Sequence, residues 1–314
     1  MKEPLSYLVS YWQEVSSASI NPDNIDAQIS TVLNTLDRSN VSPNERERLH
    51  DQKEKILTEL IKFSSLLDDF KLSATKFLRE EESAYMSYSY KKYKMDTEND
   101  SSEFLLARPL NTPLITTAET KKQFITRIQI HSTWEHPGMF VRPEHGEYVD
   151  EMASSDPLYI ADHNDALLSP TKKLWNEQYQ GRIRYQIIQE TRPIIFRSVP
   201  KDQIGFIVMM NFLNHKPLDV IKRYLAESYS LLKPGGVLLF TYNNCSLPIA
   251  VQNFEKEMYS YTPGTLVQPM TELIGFEILE AYDNETENVS WLELKKPGKL
   301  TSLRGGQCLA KINK

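Results

Sequence analysis

The chain has 314 residues, 40% of them hydrophobic, and 36 lysines and arginines stand against 42 aspartates and glutamates, for a formal net charge of −6. That length and apolar content suffice for one large core or two smaller ones, and the acidic balance gives no general attraction to nucleic acid or an anionic membrane. Two cysteines without CxxC spacing and six scattered histidines with no i, i+4 pair beside a carboxylate exclude a disulfide framework and give no zinc motif.

No stretch approaches the ~20 apolar residues that span a bilayer, and MKEPLSYLVSYWQEV lacks an apolar signal core. The expectation is a soluble protein of a reducing, cytoplasmic compartment, without a metal and without a membrane partner.

Residues 4–18 place Leu5, Leu8, Val9 and Trp12 at helical spacing, and 22–37 do the same with Ile25, Ile29, Val32, Leu33 and Leu36. Ser42-Pro43-Asn44-Glu45 reads as a helix start, with a capping hydroxyl, a first-turn proline and a glutamate three residues on. No glycine or proline follows until Pro109. Within that run Leu49, Ile56, Leu60, Phe63, Leu67, Phe70, Ala74 and Phe77 form a coiled-coil-like heptad seam, interrupted at Lys53. A helix to Lys94 would be about 78 Å long. Leu57, Ile61, Leu66 and Leu78 widen its stripe, so two uses are open: an intramolecular helical bundle, or oligomerisation and docking of protein partners in a larger assembly.

Tyr85 to Lys94 interleaves tyrosines and lysines, a composition that can stack bases and hold phosphates. The same residues suit a solvated helix end whose tyrosines pack on the next domain, which is the preferred reading and makes nucleic acid an unexpected partner. Met95 to Glu103 is polar and acidic and reads as a linker, so the expected domains are 1–98, a helical bundle or coiled-coil region, and 99–314, an α/β domain.

In that second region a helix is expected over 117–132, then a strand at Gly138 to Val141, a short helix at Tyr148 to Ala153, and a strand at Pro157 to Asp162. Another helix starts near Asp165 or Ser169, with Pro170 at a helix start. Ile187-Ile188 and Ile194-Ile195-Phe196 compete as the third strand, and Ile204 to Met210 is the fourth. An amphipathic helix over Leu218 to Leu232 runs into Pro234-Gly235-Gly236, which predicts a reversal, and the unbroken apolar Val237 to Phe240 predicts a parallel strand buried on both faces. Thr265 to Ile274 reads as a helix ended by Gly275, and Phe276 to Leu279 as a strand. Val289 to Lys295 and Gln307 to Ile312 supply an extra and a seventh strand, antiparallel at the sheet edge.

The run LLKPGGVLLF, Leu231 to Phe240, resembles the fifth-strand signature of class I S-adenosylmethionine-dependent methyltransferases. The resemblance covers residues 104–314 and implies a Rossmann-like seven-stranded sheet with S-adenosylmethionine as the cofactor, if any is bound. In that family the first strand ends in an acidic residue, a hydrophobe and G-x-G-x-G. Here Phe140 takes the acidic place, Arg142 and Glu144 take two glycine places, and only Gly146 matches.

Asp162 falls where the family's acidic residue accepts hydrogen bonds from ribose hydroxyls, and it also suits a helix cap. Asn211 and His215 follow the fourth strand, on the cofactor and substrate sides respectively, and either also suits a cap; Tyr242, Asn243 and Asn244 follow the fifth strand on the substrate side. No Asp/Asn-Pro-Pro-Tyr/Phe run follows Met210, and no general base stands out. The functional expectation is a degenerate methyltransferase-like module with a structural or docking role, for which a tailed-phage virion is one setting. The alternatives are an active methyltransferase and a nucleic-acid-binding adaptor.

Overall fold

The computed structural model describes residues 4–37, 42–98, 115–143, 146, 148–163, 165–190, 192–256 and 259–301. The chain divides into two compact units, Met1–Ala84 and Tyr85–Lys314.

The first unit holds α1 (Leu5–Ser17), α2 (Pro22–Asp37) and the larger part of α3 (Pro43–Glu98), a single helix of 56 residues. At its start the Glu45 carboxylate accepts from the backbone N–H of Ser42 at 3.3 Å and from its hydroxyl at 2.9 Å, one arm of a capping box. Leu5 and Val9 of α1 are buried, and Tyr11 meets Phe70 edge-on at 6.4 Å. Lys53, the residue that interrupts the heptad seam, lies 2.7 Å from Asp26 and donates to Ser30 Oγ at 3.0 Å. Its apolar place is taken by a polar tie to α2.

The second unit is built on one sheet. Its strands are β1 (Gly138–Val141), β2 (Leu158–Asp162), β3 (Ile183–Ile187), β4 (Ile204–Met209), β5 (Leu232–Tyr242), β6 (Glu277–Asn284) and β7 (Val289–Lys295), in the order β3-β2-β1-β4-β5-β7-β6. All neighbours pair in parallel except β7, which is antiparallel to both β5 and β6. Its helices are α4 (Ala118–His131), α5 (Asp165–Lys172), α6 (Glu177–Gln180), α7 (Leu218–Leu231), α8 (Pro248–Glu255) and α9 (Gly264–Ile274).

Alternation along the strands splits the core in two. Met139, Ile207, Leu238 and Phe240 pack with Tyr224 and Leu225 of α7 and Val267 of α9, while Phe140, Phe206, Val208 and Leu239 pack with Phe124 and Ile128 of α4. Both faces are covered, as the unbroken apolar runs require.

Several expectations are corrected. The reversal at Pro234-Gly235-Gly236 is a bulge within β5: Leu232 is already extended and level with Ile204, and the next paired residues are Val237 and Phe206. Four residues therefore bow out opposite Gly205. Gly235 takes φ 80°, and its N–H donates to Lys296 O at 2.8 Å. Of the two candidates for the third strand, Ile187-Ile188 marks only its end: Ile187 is the last residue of β3, paired with Asp162, and the Ile188 N–H donates to Asp162 O at 2.8 Å. β3 lies at the sheet edge, and Arg184 and Gln186 interrupt its apolar residues, whereas in the other candidate the backbone N–H groups of Ile195 and Phe196 are held by the Glu227 carboxylate.

Val289–Lys295 is the seventh strand, and it lies inside the sheet with β6 at the edge. Residues 307–312 lie outside the described residues. Pro170 falls within α5, the short helix after Tyr148 is a 3-10 turn over Asp150–Met152, and α8 was not foreseen.

Candidate functional site

β1 lies between β2 and β4, with Val141 level with both Ala161 and Met209. The residues that leave these strands therefore gather at the carboxyl ends of the strands, the place where open α/β sheets bind ligands. Arg142 extends the ladder by donating its N–H to Ala161 O at 2.7 Å, then turns the chain at φ 52°. Its side chain is 5% exposed, and among the described residues it has no hydrogen-bond or ion-pair partner.

Gly146 takes φ 90°, with its N–H bonded to Pro143 O at 2.8 Å. A Cβ there would meet only the tip of the exposed Leu174 side chain, so it is the turn conformation that already demands the glycine.

Asp162 ends β2 and is fully buried. Its Oδ1 accepts from the His163 N–H at 2.7 Å, whereas Oδ2 has no hydrogen-bond partner among the described residues. A buried carboxylate oxygen left unbonded is costly and calls for a donor.

Beside it is a cluster the sequence did not reveal. Glu190 Oε1 accepts from Lys216 Nζ at 2.8 Å and from the Tyr224 hydroxyl at 2.7 Å, and Oε2 accepts from the Tyr93 hydroxyl. His163 Nε2 stands 3.9 Å from Glu190, an electrostatic contact too long for a hydrogen bond. Burial alone would raise the Glu190 carboxyl, but Lys216 and His163 outweigh it and hold the group well below the usual carboxylate range. Burial, and then Glu190 itself, push the Tyr224 hydroxyl up.

Asn211 takes φ 46°, a conformation asparagine tolerates, and its N–H donates to Thr241 Oγ1 at 2.7 Å. It is thus tied to β5. The ring of His215, at the end of a 3-10 turn, lies 4.8 Å from that of Tyr259. Tyr242 is 1% exposed, and burial followed by Asp283 pushes its hydroxyl up against the opposing effect of Gln268.

The two asparagines after β5 are engaged internally. Asn243 Nδ2 donates to Ala250 O at 3.1 Å and Ser260 O at 3.0 Å. Asn244 Nδ2 donates to Asp283 at 2.9 Å, and its Oδ1 accepts from the N–H of Gly264, the first residue of α9, at 2.8 Å. The geometry brings Arg142, Asp162 and Asn211 to the carboxyl ends of neighbouring strands and gives Asn243 and Asn244 structural bonds.

From Tyr85 onward α3 belongs to this unit. The Tyr85 ring lies 5.4 Å from Phe254, Ser89 is buried, and Lys216 Nζ sits 5.2 Å over the Tyr93 ring. These aromatics pack within the protein. A cavity of about 600 Å³ is lined by Met86, Tyr90, Leu218, Tyr261 and Met270 among others, and none of the substrate-side candidates lines it. Among the described residues no group of three or more metal-ligating side chains occurs, and no helix is long and apolar enough to cross a membrane.

The strand order, with one antiparallel strand set between β5 and β6 and helices on both faces, makes this a class I methyltransferase-like α/β fold. No family model and no curated protein matches the chain. Among solved structures it is similar to the N-methyltransferase NodS from Bradyrhizobium japonicum WM9 in complex with S-adenosyl-L-homocysteine, at 13% identity over 67% of this chain and 98% of that one, with a TM-score of 0.45. A putative sarcosine dimethylglycine methyltransferase from Galdieria sulphuraria is 10% identical over 58% of this chain and 87% of its own, with a TM-score of 0.46. For an O-methyltransferase family protein from Burkholderia thailandensis the figures are 11% identity, 58% of this chain, 57% of that chain and a TM-score of 0.44. Likeness at this level concerns the fold alone and assigns no residue a role.

Proposed function

We propose that the second unit keeps a methyltransferase-like sheet as a structural and docking module and does not carry out methyl transfer. The observation that carries this reading is Arg142. It stands where the family pattern has a glycine, at φ 52° and with a side chain only 5% exposed. A glycine at that point lets a cofactor approach the backbone. In this reading the buried Arg142 side chain takes up that volume. Gly146, the one matching glycine, has a local reason of its own in its φ of 90°. In this reading protein partners are engaged through the N-terminal helices, within an oligomer or a larger assembly such as a virion.

Calorimetric titration of the full chain with S-adenosylmethionine and S-adenosylhomocysteine tests it. No saturable heat is expected at ligand concentrations up to about 1 mM. Micromolar binding that Asp162→Ala abolishes would overturn the proposal.

One observation favours a second reading, an active methyltransferase of unassigned acceptor. Asp162 Oδ2 is buried and unbonded at the end of β2, where a ribose hydroxyl would supply the missing donor. S-adenosylmethionine is the cofactor that reading requires, with Asp162 as its anchor. The same titration separates the two.

A further inference from the structure

α3 carries two apolar faces, and the helices of its own unit cover only one. Lys53, Leu57, Leu60, Leu67 and Leu78 are half-buried, with Lys53 tied to α2 and the neighbouring Lys71 bonded to Ala18 O after α1. Ile56, Phe63, Phe70 and Phe77, in contrast, are 50%, 57%, 45% and 51% exposed, Phe70 keeping that exposure although the Tyr11 ring of α1 meets its edge, and Leu66 beside them is 64% exposed. The four recur at every seventh residue. An isolated helix drifts by about 20° per heptad, so a strict seven-residue apolar repeat stays in line only against another helix wound around it. The stripe runs about 32 Å along the axis. Scattered exposed apolar residues are ordinary, but a continuous row of this length marks an interaction surface.

We propose that this stripe pairs two copies of the chain, with their α3 helices antiparallel about a two-fold axis beside Leu66. A two-fold interface must be self-complementary, and the sequence here has that property. With Leu66 opposite Leu66 of the second copy, Phe63 falls beside its Phe70 and Ile56 beside its Phe77.

Lys62 and Asp69 occupy the same heptad position on the stripe's exposed flank. In an antiparallel pair that flank faces its own copy, so Lys62 meets Asp69 of the second copy twice. A parallel, in-register pair would leave those charges about 10 Å apart along the axis. Lys55 and Lys76 also come level in the antiparallel pair, at its solvated ends where salt screens like charges. Five half-exposed side chains from each copy bury on the order of 1,000 Å², the lower bound for a specific interface. The pairing does not depend on whether the second unit binds a cofactor.

Sedimentation equilibrium of the full chain over a concentration series tests the pairing, and a species of twice 36.4 kDa is expected. Phe63→Asp with Phe70→Asp should weaken it at least about 100-fold, with unchanged far-ultraviolet circular dichroism. Leu72→Asp lies off the stripe and should leave it unchanged.

Orientation is read by cysteine cross-linking in a Cys308→Ser background. Leu66→Cys should form a disulfide dimer on oxidation, whereas Phe77→Cys should not, because an antiparallel pair holds those positions about 33 Å apart. Cross-linking at both sites would mean parallel helices and overturn the proposal. A chain that stays monomeric up to about 100 μM would also overturn it and assign the stripe to a different protein.

Discussion

At Glu190 three donors, all distant from it in the chain, converge on one carboxylate: Lys216, Tyr224 and Tyr93. Because the group is held ionised below its usual range, the unfolded chain takes up the proton first as pH falls. Its contribution to stability is therefore fully present above the unfolded value, ~4.3, and is lost as pH drops below it. Glu190→Gln should cost about 2–4 kcal/mol at neutral pH, since Lys216 would be left buried beside a neutral amide. The same variant should flatten the decline of stability between about pH 5 and pH 3. Urea unfolding at a series of pH values measures both, and an unchanged slope would contradict the assignment. Nothing in the sequence marks Glu190, because its partners lie 26, 34 and 97 residues away. Asp162 was legible, since a carboxylate at the end of an apolar strand is a positional signal. The missing glycines were legible too, but the buried conformation of Arg142 was not.

Among the elements, the LLKPGG run announced the sheet correctly and its own geometry incorrectly. Proline and two glycines signal a departure from regular backbone, which a turn and a bulge satisfy equally. Tertiary pairing decided for the bulge, through Gly235 N–H on Lys296 O and Lys296 N–H on Gly236 O at 2.9 Å. A Cβ at Gly235 would lie 2.2 Å from the backbone nitrogen of Leu300, with φ at 80° besides. Gly235→Ala should therefore destabilise by at least about 2 kcal/mol, seen as a lower Tm. α4 is capped locally by Thr117, whose hydroxyl accepts from the Thr120 N–H at 3.3 Å, and a remote residue reinforces that start: Glu287, from the turn before β7, accepts from the N–H groups of Thr116 at 2.9 Å and Thr117 at 3.1 Å. Burial would raise that carboxyl, yet the threonine bonds hold it down at about 2. Glu287→Ala should cost roughly 1 kcal/mol, the usual worth of a helix cap; no change in urea midpoint would show the contact to be inert. The helices and strands read correctly were those with an apolar period. β3 lacks one because it is an edge strand, and α8 was hidden within a loop-like sequence.

Over the whole molecule the two units differ in how much they bury. The second unit has two clusters of fully buried side chains, whereas among the described residues of the first only Leu5 and Val9 reach that state. Amide hydrogen exchange should accordingly be slowest in β1, β4 and β5 and clearly faster in α1 and α2. Equal protection in α1 and β4 would show that burial does not set the local stability here.

The placement of β7 bears on how the protein is made. The strand that flanks β5 is encoded 47 residues after β5 ends, beyond β6, which lies outside it in the sheet. On a ribosome, the backbone of Val237 to Tyr242 faces β7 with no partner until Lys295 has emerged. For that interval the nascent chain carries an open, apolar strand edge, the feature most prone to pairing with a neighbouring polypeptide. Completion of the sheet is thus a late, single event in synthesis, and a chain arrested before Lys295 has no way to close it.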